Sequence, residues 1–287
     1  MGKRTWGLFI TVAAAWGAPA AVAAQPEPSP LDEVIATERA FADETRRIGF
    51  KRGFLAFVAP DGFVFQPGPT PARPGLEALP DQAPPGPPLF WWPQFAGAAL
   101  SGDLGFTSGG ATIAVRYFTV WQRQPDGEWR WIYDGGPRLD TPLPGGEGDA
   151  VTRLPPATAA AGSPERALAE IGPIEAALAQ AADQDALRAR LDHLAENGLV
   201  AGSRSASYPG RSQQQAELAR QPRRLALRAL GAVASQAGDM AFTWGEARWT
   251  NEEGPRWAHY ARIWQKRLEG WRLVVDLLVP APGAPPA

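Results

Sequence analysis

The chain has 287 residues, a formal net charge of −2 and no cysteine. The lack of cysteine excludes disulfides, thiol nucleophiles and thiolate metal sites. Basic and acidic residues are interspersed along the chain and not segregated, so we predict no nucleic-acid partner, because nucleic-acid binding depends on concentrated positive charge. We expect the core to hold the protein together, since the length allows two domains of about 115 to 130 residues.

The first 24 residues are typical of an export signal. Lys3 and Arg4 supply the charged start, residues 7–16 an apolar stretch, and residues 21–24 a small-residue cleavage region. A membrane anchor is the alternative, but the apolar stretch is shorter than the roughly 20 residues that a spanning helix needs. We therefore predict a cleaved signal peptide over residues 1–24 and a periplasmic or secreted protein with no membrane span after cleavage.

The first half predicts helices followed by a strand meander. Apolar residues at helical spacing predict a helix over 31–48, and a second short helix follows over 52–58. A stretch rich in Pro and Gly over 67–88 predicts neither helix nor sheet, and its apolar end makes it a candidate lid. The strands predicted by alternation and turn residues are 63–65, 98–101, 104–108, 112–122 and 129–134.

The second half predicts the same order of elements. Its helices are predicted over 164–182, 184–194 and 212–220, with a turn at 197–198, and its strands over 226–235, 240–250, 257–266 and 271–279. We predict a first domain over 25–140, a linker over 141–163, a second domain over 164–280 and a disordered tail over 281–287.

The chain also repeats itself. Residues 102–109, which read Gly-Asp-Leu-Gly-Phe-Thr-Ser-Gly, return over 238–245, and residues 121–123 return over 264–266. A repeat of this length is a duplicated domain, since solenoid units are only about 20 to 50 residues long. Because helices and strands are segregated within each copy, we predict the α+β class.

These motifs, with Tyr-Phe-Thr-Val-Trp-Gln-Arg at 117–123 and Asp-Gly-Glu-Trp-Arg-Trp-Ile-Tyr-Asp at 126–134, resemble the nuclear-transport-factor-2-like superfamily. The nearest resemblance is to its exported branch, which is related to ketosteroid isomerase and polyketide-cyclase-like domains. The resemblance implies two tandem cone-shaped domains, each a strongly curved antiparallel sheet wrapped around N-terminal helices, with a pocket at the wide end. It also implies pairing through the sheets, as an intramolecular pseudo-dimer or a homo-oligomer.

Asp61 is the first candidate for catalysis. An isomerase-type reaction needs a carboxylate base in an apolar pocket and donors for the developing enolate. Asp61 ends the second predicted helix, but Pro60-Asp61-Gly62 is equally explained by a turn. The equivalent residue in the second copy is Asn197, which cannot act as a base.

Asp134 is the second candidate for catalysis. Strict alternation places it on the same face as Arg130 and opposite the aromatic residues of its strand, and it places Asp276 in the same phase in the second copy. Because this face carries both polar and apolar residues, an Arg/Asp pair on a partly exposed surface is as good an interpretation as a catalytic site. The other repeated acids, Asp103 and Asp239, are explained by hairpin turns.

Aromatic residues that differ between the copies are the candidates for ligand binding. They are Trp91 and Trp92 in the first copy and Trp244 and Trp257 in the second. The repeated pair Tyr117 and Tyr260, and Arg262 beside Tyr260, are further candidates for ligand binding. Tyr260 and Arg262 together could hold an anionic group. The alternative is that the tryptophans are core residues, as we expect for the repeated pair Trp121 and Trp264.

Metal and cofactor sites are not predicted. His193 stands where the first copy has Phe57, which favours packing, and His259 has no carboxylates at ligand spacing. We predict no metal and no cofactor. Three functions stay open: binding of a small apolar or aromatic ligand without catalysis, an isomerase- or cyclase-type enzyme using an acid of the first domain, and a structural or protein-interaction module.

Overall fold

A computed structural model describes residues 1–2, 28–81 and 89–281. The predicted signal peptide lies almost wholly outside the described residues, and so do the end of the Pro/Gly stretch and nearly all of the C-terminal tail. None of the helices in the described ranges is long and apolar enough to cross a membrane.

The first half forms a seven-stranded sheet with helices on one face. Its elements are α1 (Pro30–Ile48), α2 (Phe50–Phe57), β1 (Val58–Phe65), β2 (Pro69–Pro71), α3 (Ala72–Glu77), β3 (Trp91–Ala98), β4 (Leu104–Ala111), β5 (Tyr117–Arg123), β6 (Trp129–Gly135) and β7 (Thr152–Arg153). The strand order is β2-β1-β6-β5-β4-β3-β7. A capping box at Ser29 and Asp32 starts α1, and Gly49 at φ 91° ends it.

The second half forms a five-stranded sheet around a longer helix. Its elements are α4 (Pro164–His193), β8 (Leu194–Ala201), α5 (Arg211–Leu218), β9 (Ala226–Ala234), β10 (Met240–Asn251), β11 (Gly254–Arg267) and β12 (Gly270–Pro280). The strand order is β8-β12-β11-β10-β9. Non-helical backbone at Asp185 (φ −149°, ψ 92°) kinks α4 close to the break predicted between helices 164–182 and 184–194.

The α+β prediction is confirmed, but both sheets are mixed and not purely antiparallel. β1 runs parallel to β6, and β8 runs parallel to β12. Each of these strands directly follows a helix, so no tight hairpin sets its direction. β3 to β6 and β9 to β12 form the antiparallel meanders that the turn residues predicted.

Each helix packs on its own sheet, and the two sheets pack on each other. In the first half, Val34 and Phe41 of α1 lie in one cluster with Trp121 and Trp131. In the second half, α4 forms the equivalent cluster with Trp264. A third cluster lies between the sheets and includes Phe106, Phe118, Tyr133, Phe242 and Ile263. We call the helix-covered side of each sheet its concave face, and the other side its sheet-packing face.

The repeated Gly-Asp turns meet at this sheet-packing interface. The Leu100 amide donates to Asp239 Oδ2 at 2.8 Å, and the Gln236 amide donates to Asp103 Oδ2 at 3.0 Å. The two contacts are equivalent, because each half supplies the amide of one contact and the aspartate of the other, as in a two-fold symmetric dimer interface. These aspartates therefore do more than close their own hairpins, which is the role that local sequence predicted.

Two glycine positions explain where strands were missed. Gly62 and Gly198 lie inside β1 and β8, where the parallel pairing shifts register. A Cβ at Gly62 would lie 2.7 Å from Val58 Cγ2, and one at Gly198 would lie 2.9 Å from the Leu273 carbonyl oxygen. The turn predicted at 197–198 is therefore wrong, because the glycine permits close backbone approach within a strand.

The Pro-rich segments are also more structured than composition predicted. Residues 67–88 include β2 and α3, and the apolar residues after them open β3, which replaces the predicted strand 98–101. Within 141–163, Leu143 and Leu154 are buried, and β7 pairs with β3. Proline limits ladder hydrogen bonds but leaves edge pairing and apolar packing possible. The segment predicted as a linker thus covers the outer edge of the first sheet.

Candidate functional site

A buried glutamate on the long helix is bonded to the sheet in the first half. Glu38 of α1 is fully buried and accepts hydrogen bonds from Trp91 Nε1 and from the Thr107 hydroxyl. Trp121 Nε1 also donates to Glu38 Oε2, at 3.0 Å. The glutamate therefore ties the helix to three neighbouring strands of the concave face.

The second half has the same arrangement. Glu175 of α4 accepts from the Thr243 hydroxyl at 2.6 Å and from Trp264 Nε1 at 2.8 Å. Neither glutamate was among the candidates predicted from the sequence. The signal was present, because Glu38 and Glu175 lie 137 residues apart, within one residue of the offset that relates Gly102 to Gly238.

The surroundings of the two glutamates differ by one cation. Thr119 is paired with Asp134 across β5 and β6, and Arg262 is paired with Asp276 at the equivalent place across β11 and β12. In the first half the Thr119 hydroxyl donates to Asp134 Oδ2 at 2.8 Å. The two halves therefore differ in whether a guanidinium or a hydroxyl stands between the two acids.

In the second half this guanidinium holds a buried ion-pair network. Arg262 Nη1 lies 2.6 Å from Glu175 Oε2, and its Nε lies 3.0 Å from Asp276 Oδ1. Arg190 Nε lies 2.6 Å from Asp276 Oδ2 and donates through Nη1 to Gln221. Two carboxylates thus face two guanidinium groups, which balances the charge.

The two networks shift the pKa values of the equivalent residues Asp134 and Asp276 in opposite directions. In the first half, burial raises the pKa of Glu38 and raises that of Asp134 to about 7. Burial and the nearby Glu38 also raise the pKa of Tyr117. In the second half, burial would raise the pKa of Asp276, but Arg190 and Arg262 outweigh it and hold that pKa below its ordinary value.

Asp134 lies on the concave face, contrary to the alternation argument. Trp121 pairs with Trp131 and Val120 pairs with Tyr133, so Ile132 is an extra residue in β6. This β-bulge reverses the alternation beyond it, and Val274 does the same before Asp276. The expected surface pairs are therefore wrong: Arg130 bonds Asp126, and Asp276 bonds Arg190 and Arg262.

A cavity of about 460 Å³ lies between α4 and β9 in the second half. Its apolar walls include Leu168, Ile171, Ala176, Ala179, Leu227 and Leu230. Glu175, Thr243 and Tyr260 also line it, and the ring of Tyr260 lies 4.2 Å from Arg262 Cζ. The cavity thus combines an apolar wall with a polar side whose charges are neutralised internally.

In the first half a tryptophan, Trp91, occupies the position equivalent to Leu227, which lines this cavity in the second half. Trp91 pairs with Ala111 in the β3–β4 ladder, and Leu227 pairs with Ala247 in the β9–β10 ladder, 136 residues further on. The Trp91 ring packs against Phe41 with centroids 4.8 Å apart. An indole that bonds Glu38 therefore occupies the space that leucine leaves open.

The other residues selected from the sequence are dispersed. Asp61 is exposed, and Trp92 lines a separate cavity of about 220 Å³ with Arg39 and Glu147. Trp244 stacks on Phe242, with centroids 5.0 Å apart, on the sheet-packing face. Of the predicted set, Tyr260 lines the cavity of the second half.

Trp257 and Arg262 also lie away from a ligand surface. The Trp257 ring contacts His259, which donates to the Pro67 carbonyl and stacks on Phe65 at 3.9 Å between the halves. The Arg262 side chain is 1% exposed and bonds two carboxylates, so it does not hold an anionic ligand as proposed with Tyr260. Within the described ranges, His, Asp and Glu side chains form no group that could hold a metal ion.

No protein-family model matches the chain, and no curated protein matches it. Solved structures do match, each over about 40% of the chain. One is a ketosteroid isomerase-like protein from Erwinia carotovora atroseptica, 15% identical, covering 40% of this chain and 97% of its own, with a TM-score of 0.36.

Two further matches have similar values. A protein of unknown function with a cystatin-like fold from Nostoc punctiforme is 17% identical and covers 41% of this chain and 92% of its own, with a TM-score of 0.34. An NTF2-like protein of unknown function from Pseudomonas putida is 14% identical and covers 41% and 89%, with a TM-score of 0.34.

Proposed function

We propose that the second half binds a small apolar molecule, or the apolar part of a larger one, in the cavity between α4 and β9. The observation that carries this proposal is the cavity of about 460 Å³ with mostly apolar walls. Ligand cavities are typically about 300 to 1,000 Å³, lined by apolar side chains with a few polar groups. The cavity is of this kind.

The charge balance favours an uncharged group inside the cavity. Arg262 and Arg190 neutralise Glu175 and Asp276, so a buried ligand charge would have no counter-charge there. Burying an unpaired charge is strongly unfavourable. Tyr260 presents an aromatic ring at the cavity wall, which suits an apolar or aromatic ligand.

The test is a thermal-shift titration of the full chain with naphthalene, alongside native mass spectrometry for any retained ligand. We expect naphthalene to raise the melting temperature of the wild type. The Leu227→Trp variant should lose this response, because the indole fills the cavity as Trp91 does in the first half. Ala179→Leu narrows the same cavity with a smaller change and gives a second, independent variant.

The matched control is Leu268→Trp, which adds the same indole at a side chain that is 84% exposed. We expect this variant to respond to naphthalene like the wild type. An equal response from folded Leu227→Trp and Ala179→Leu would place any binding outside the cavity and contradict the proposal.

Acid–base catalysis in the first half is the second candidate function. It is favoured by Asp134, whose pKa burial raises to about 7, near the pH at which an acid or base works best. Asp134 is partly exposed, and Glu38 lies on the same concave face. An NMR titration of Asp134 that gives an ordinary aspartate pKa would remove this support.

We also propose that the protein is exported and that its two halves form an intramolecular pseudo-dimer. The charged and apolar order of residues 1–24 supports export. The exchanged Asp103 and Asp239 contacts support the pseudo-dimer. N-terminal sequencing of the mature protein should begin near Ala24 or Gln25, and light scattering should give the mass of one chain.

A further inference from the structure

A groove lined by arginines opens at the end of the second half, beside the apolar cavity. It measures about 1020 Å³ and lies between the kinked part of α4, the segment 220–226 and the ends of β10 to β12. Its arginines are Arg204, Arg220, Arg223, Arg224, Arg248 and Arg256. Six of its 18 lining residues are thus arginine, whereas Asp183 is the one carboxylate among them.

These arginines are partly paired but retain hydrogen-bond capacity. Arg204 bonds Asp140, Arg224 lies near Asp183 at 3.7 Å, and Arg256 bonds Glu253. Arg220 lies 3.9 Å from buried Glu217, and Arg248 lies 3.3 Å from Glu246, which Arg228 also contacts. A guanidinium has five N–H donors, so one contact with a carboxylate leaves donors for a further anion.

Arg223 differs from its neighbours because no carboxylate contacts its side chain within the described ranges. Its backbone carbonyl accepts from the Ala186 amide, which fixes the segment against α4 at the kink. The side chain is exposed at the groove. A fixed backbone with a free guanidinium at the groove is an arrangement that suits an anionic group.

The groove and the apolar cavity are neighbours on two elements. On α4, Ala179 lines the cavity and Asp183 lines the groove one helical turn later. On β9, Leu227 lines the cavity and adjacent Ala226 lines the groove. A ligand with an apolar part and a charged end could therefore contact both without any change in the fold.

We infer that the second half binds an amphipathic molecule, with its apolar chain in the cavity between α4 and β9 and its anionic head among the arginines of the adjacent groove. The inference rests on the proposed apolar binding and names the ligand class. The head stays in the groove because the polar side of the cavity is already charge-balanced. The groove offers water and several guanidinium donors, which suits a carboxylate head.

The test is isothermal titration of the full chain with laurate, with dodecanol and with acetate, each below any micelle-forming concentration. Dodecanol keeps the chain without the charge, and acetate keeps the charge without the chain. We expect laurate to bind at least about tenfold more tightly than dodecanol, the gain of a charge-assisted contact. Acetate should show no binding in the same range.

Variants assign the two parts of the ligand. Arg223→Gln combined with Arg256→Gln should weaken laurate to the level of dodecanol and leave dodecanol unchanged. Leu227→Trp should abolish the binding of both. Arg188→Gln, at a side chain that is 81% exposed on α4, is the matched control and should leave laurate binding unchanged.

Other outcomes separate this inference from the proposed function. If dodecanol binds as tightly as laurate and the arginine variants change nothing, apolar binding stands and the anionic head is overturned. If acetate binds and Leu227→Trp leaves laurate unaffected, the groove is an independent anion site and the amphipathic ligand is overturned. If neither laurate nor dodecanol binds but naphthalene does, the amphipathic ligand is overturned and apolar binding stands. If naphthalene does not bind either, both proposals fail.

Discussion

The two concave faces share one set of hydrogen-bonded residues but differ in how their space is filled and in their charges. Each has a buried glutamate from the long helix bonded to a threonine and a tryptophan of the sheet. In the first half the surrounding space is filled by Trp91, and the two acids have no cation between them. In the second, Leu227 borders a cavity and Arg262 joins the acids. The shared residues belong to the fold, whereas the differing residues decide what each half can hold.

One pair of equivalent positions accounts for part of the electrostatic difference. A hydroxyl at Thr119 leaves Asp134 with a raised pKa, whereas a guanidinium at the equivalent Arg262 helps to hold the pKa of Asp276 low. The guanidinium groups of Arg262 and Arg190 therefore distinguish the acids of the second concave face from those of the first. This difference can be tested from both sides.

The largest expected effect is the loss of stability when the buried cation of Arg262 is removed. Arg262→Met leaves Glu175 and Asp276 without one of their buried partners, and breaking a buried pair this way costs about 3–5 kcal/mol of unfolding free energy. Urea denaturation followed by circular dichroism measures it. Arg272→Met is the control, because Arg272 is partly exposed and lies 4.0 Å from Glu269, and it should change the free energy by less than about 0.5 kcal/mol.

A large loss of stability from Arg272→Met as well would mean that arginines of β11 and β12 matter whether or not they are buried. A loss below about 1 kcal/mol from Arg262→Met would mean that buried charge is not what distinguishes the second half.

The next effect comes from opening the first concave face. Trp91→Leu copies the residue of the second half, removes the indole bonded to Glu38, and should lower the unfolding free energy by about 2–3 kcal/mol. It should also add a naphthalene site in the first half, so that titration calorimetry gives two sites per chain instead of one. Unchanged stoichiometry in the folded variant would show that Trp91 is not what fills the first half.

A smaller effect separates the two exchanged aspartates. Asp239 is fully buried and accepts from the Leu100 amide and the Ser235 hydroxyl, whereas Asp103 is partly exposed. We expect Asp239→Ala to cost about 1–2 kcal/mol, because buried donors lose their acceptor, and Asp103→Ala to cost less. Denaturant midpoints of the two variants give the comparison, and equal losses would contradict the difference in burial.

The last expected effect is a change in how stability depends on pH. The pKa of Asp134 is about 7 in the folded protein and 3.8 ordinarily. Over the window between these values the folded state keeps a proton that the unfolded chain releases, so raising the pH lowers the unfolding free energy. Asp134→Asn should therefore make the fall in stability from about pH 4 to about pH 7 shallower.

Asp276 works in the opposite sense, because its lowered pKa contributes stability above 3.8 that is lost as the pH falls. The control for Asp134→Asn is Asp192→Asn, at a side chain that is 66% exposed. We expect it to leave the slope unchanged, and an unchanged slope in Asp134→Asn would show that this carboxyl titrates normally.

Much of the architecture followed from local sequence. The 3.6-residue spacing in α1 and α4, the hairpin turns and the repeated Gly-Asp motif predicted the helices, the meanders and the duplication. The failures share a cause, which is that pairing between distant segments overrides local pattern. Gly62 and Gly198 permit strands where turns were predicted, and the extra residues Ile132 and Val274 reverse alternation just before the acids.

The candidate site was harder to predict because it is defined by contacts between residues of different helices and strands. Glu38 and Glu175 stand on helices where a glutamate is ordinarily a surface residue, and only their repetition marks them. The aromatic residues that differ between copies were a better guide, since Trp91 is indeed what distinguishes the first concave face. The same argument selected Trp244 and Trp257, which serve the packing of one sheet on the other.

The exchanged contacts of Asp103 and Asp239 have an evolutionary consequence. Two identical subunits joined by such a two-fold interface must carry every substitution twice, so a change that opens one pocket opens both. Covalent fusion removes that obligation while keeping the interface. One half can then specialise in rigidity and the other in an open pocket, and selection can act on each without altering its neighbour.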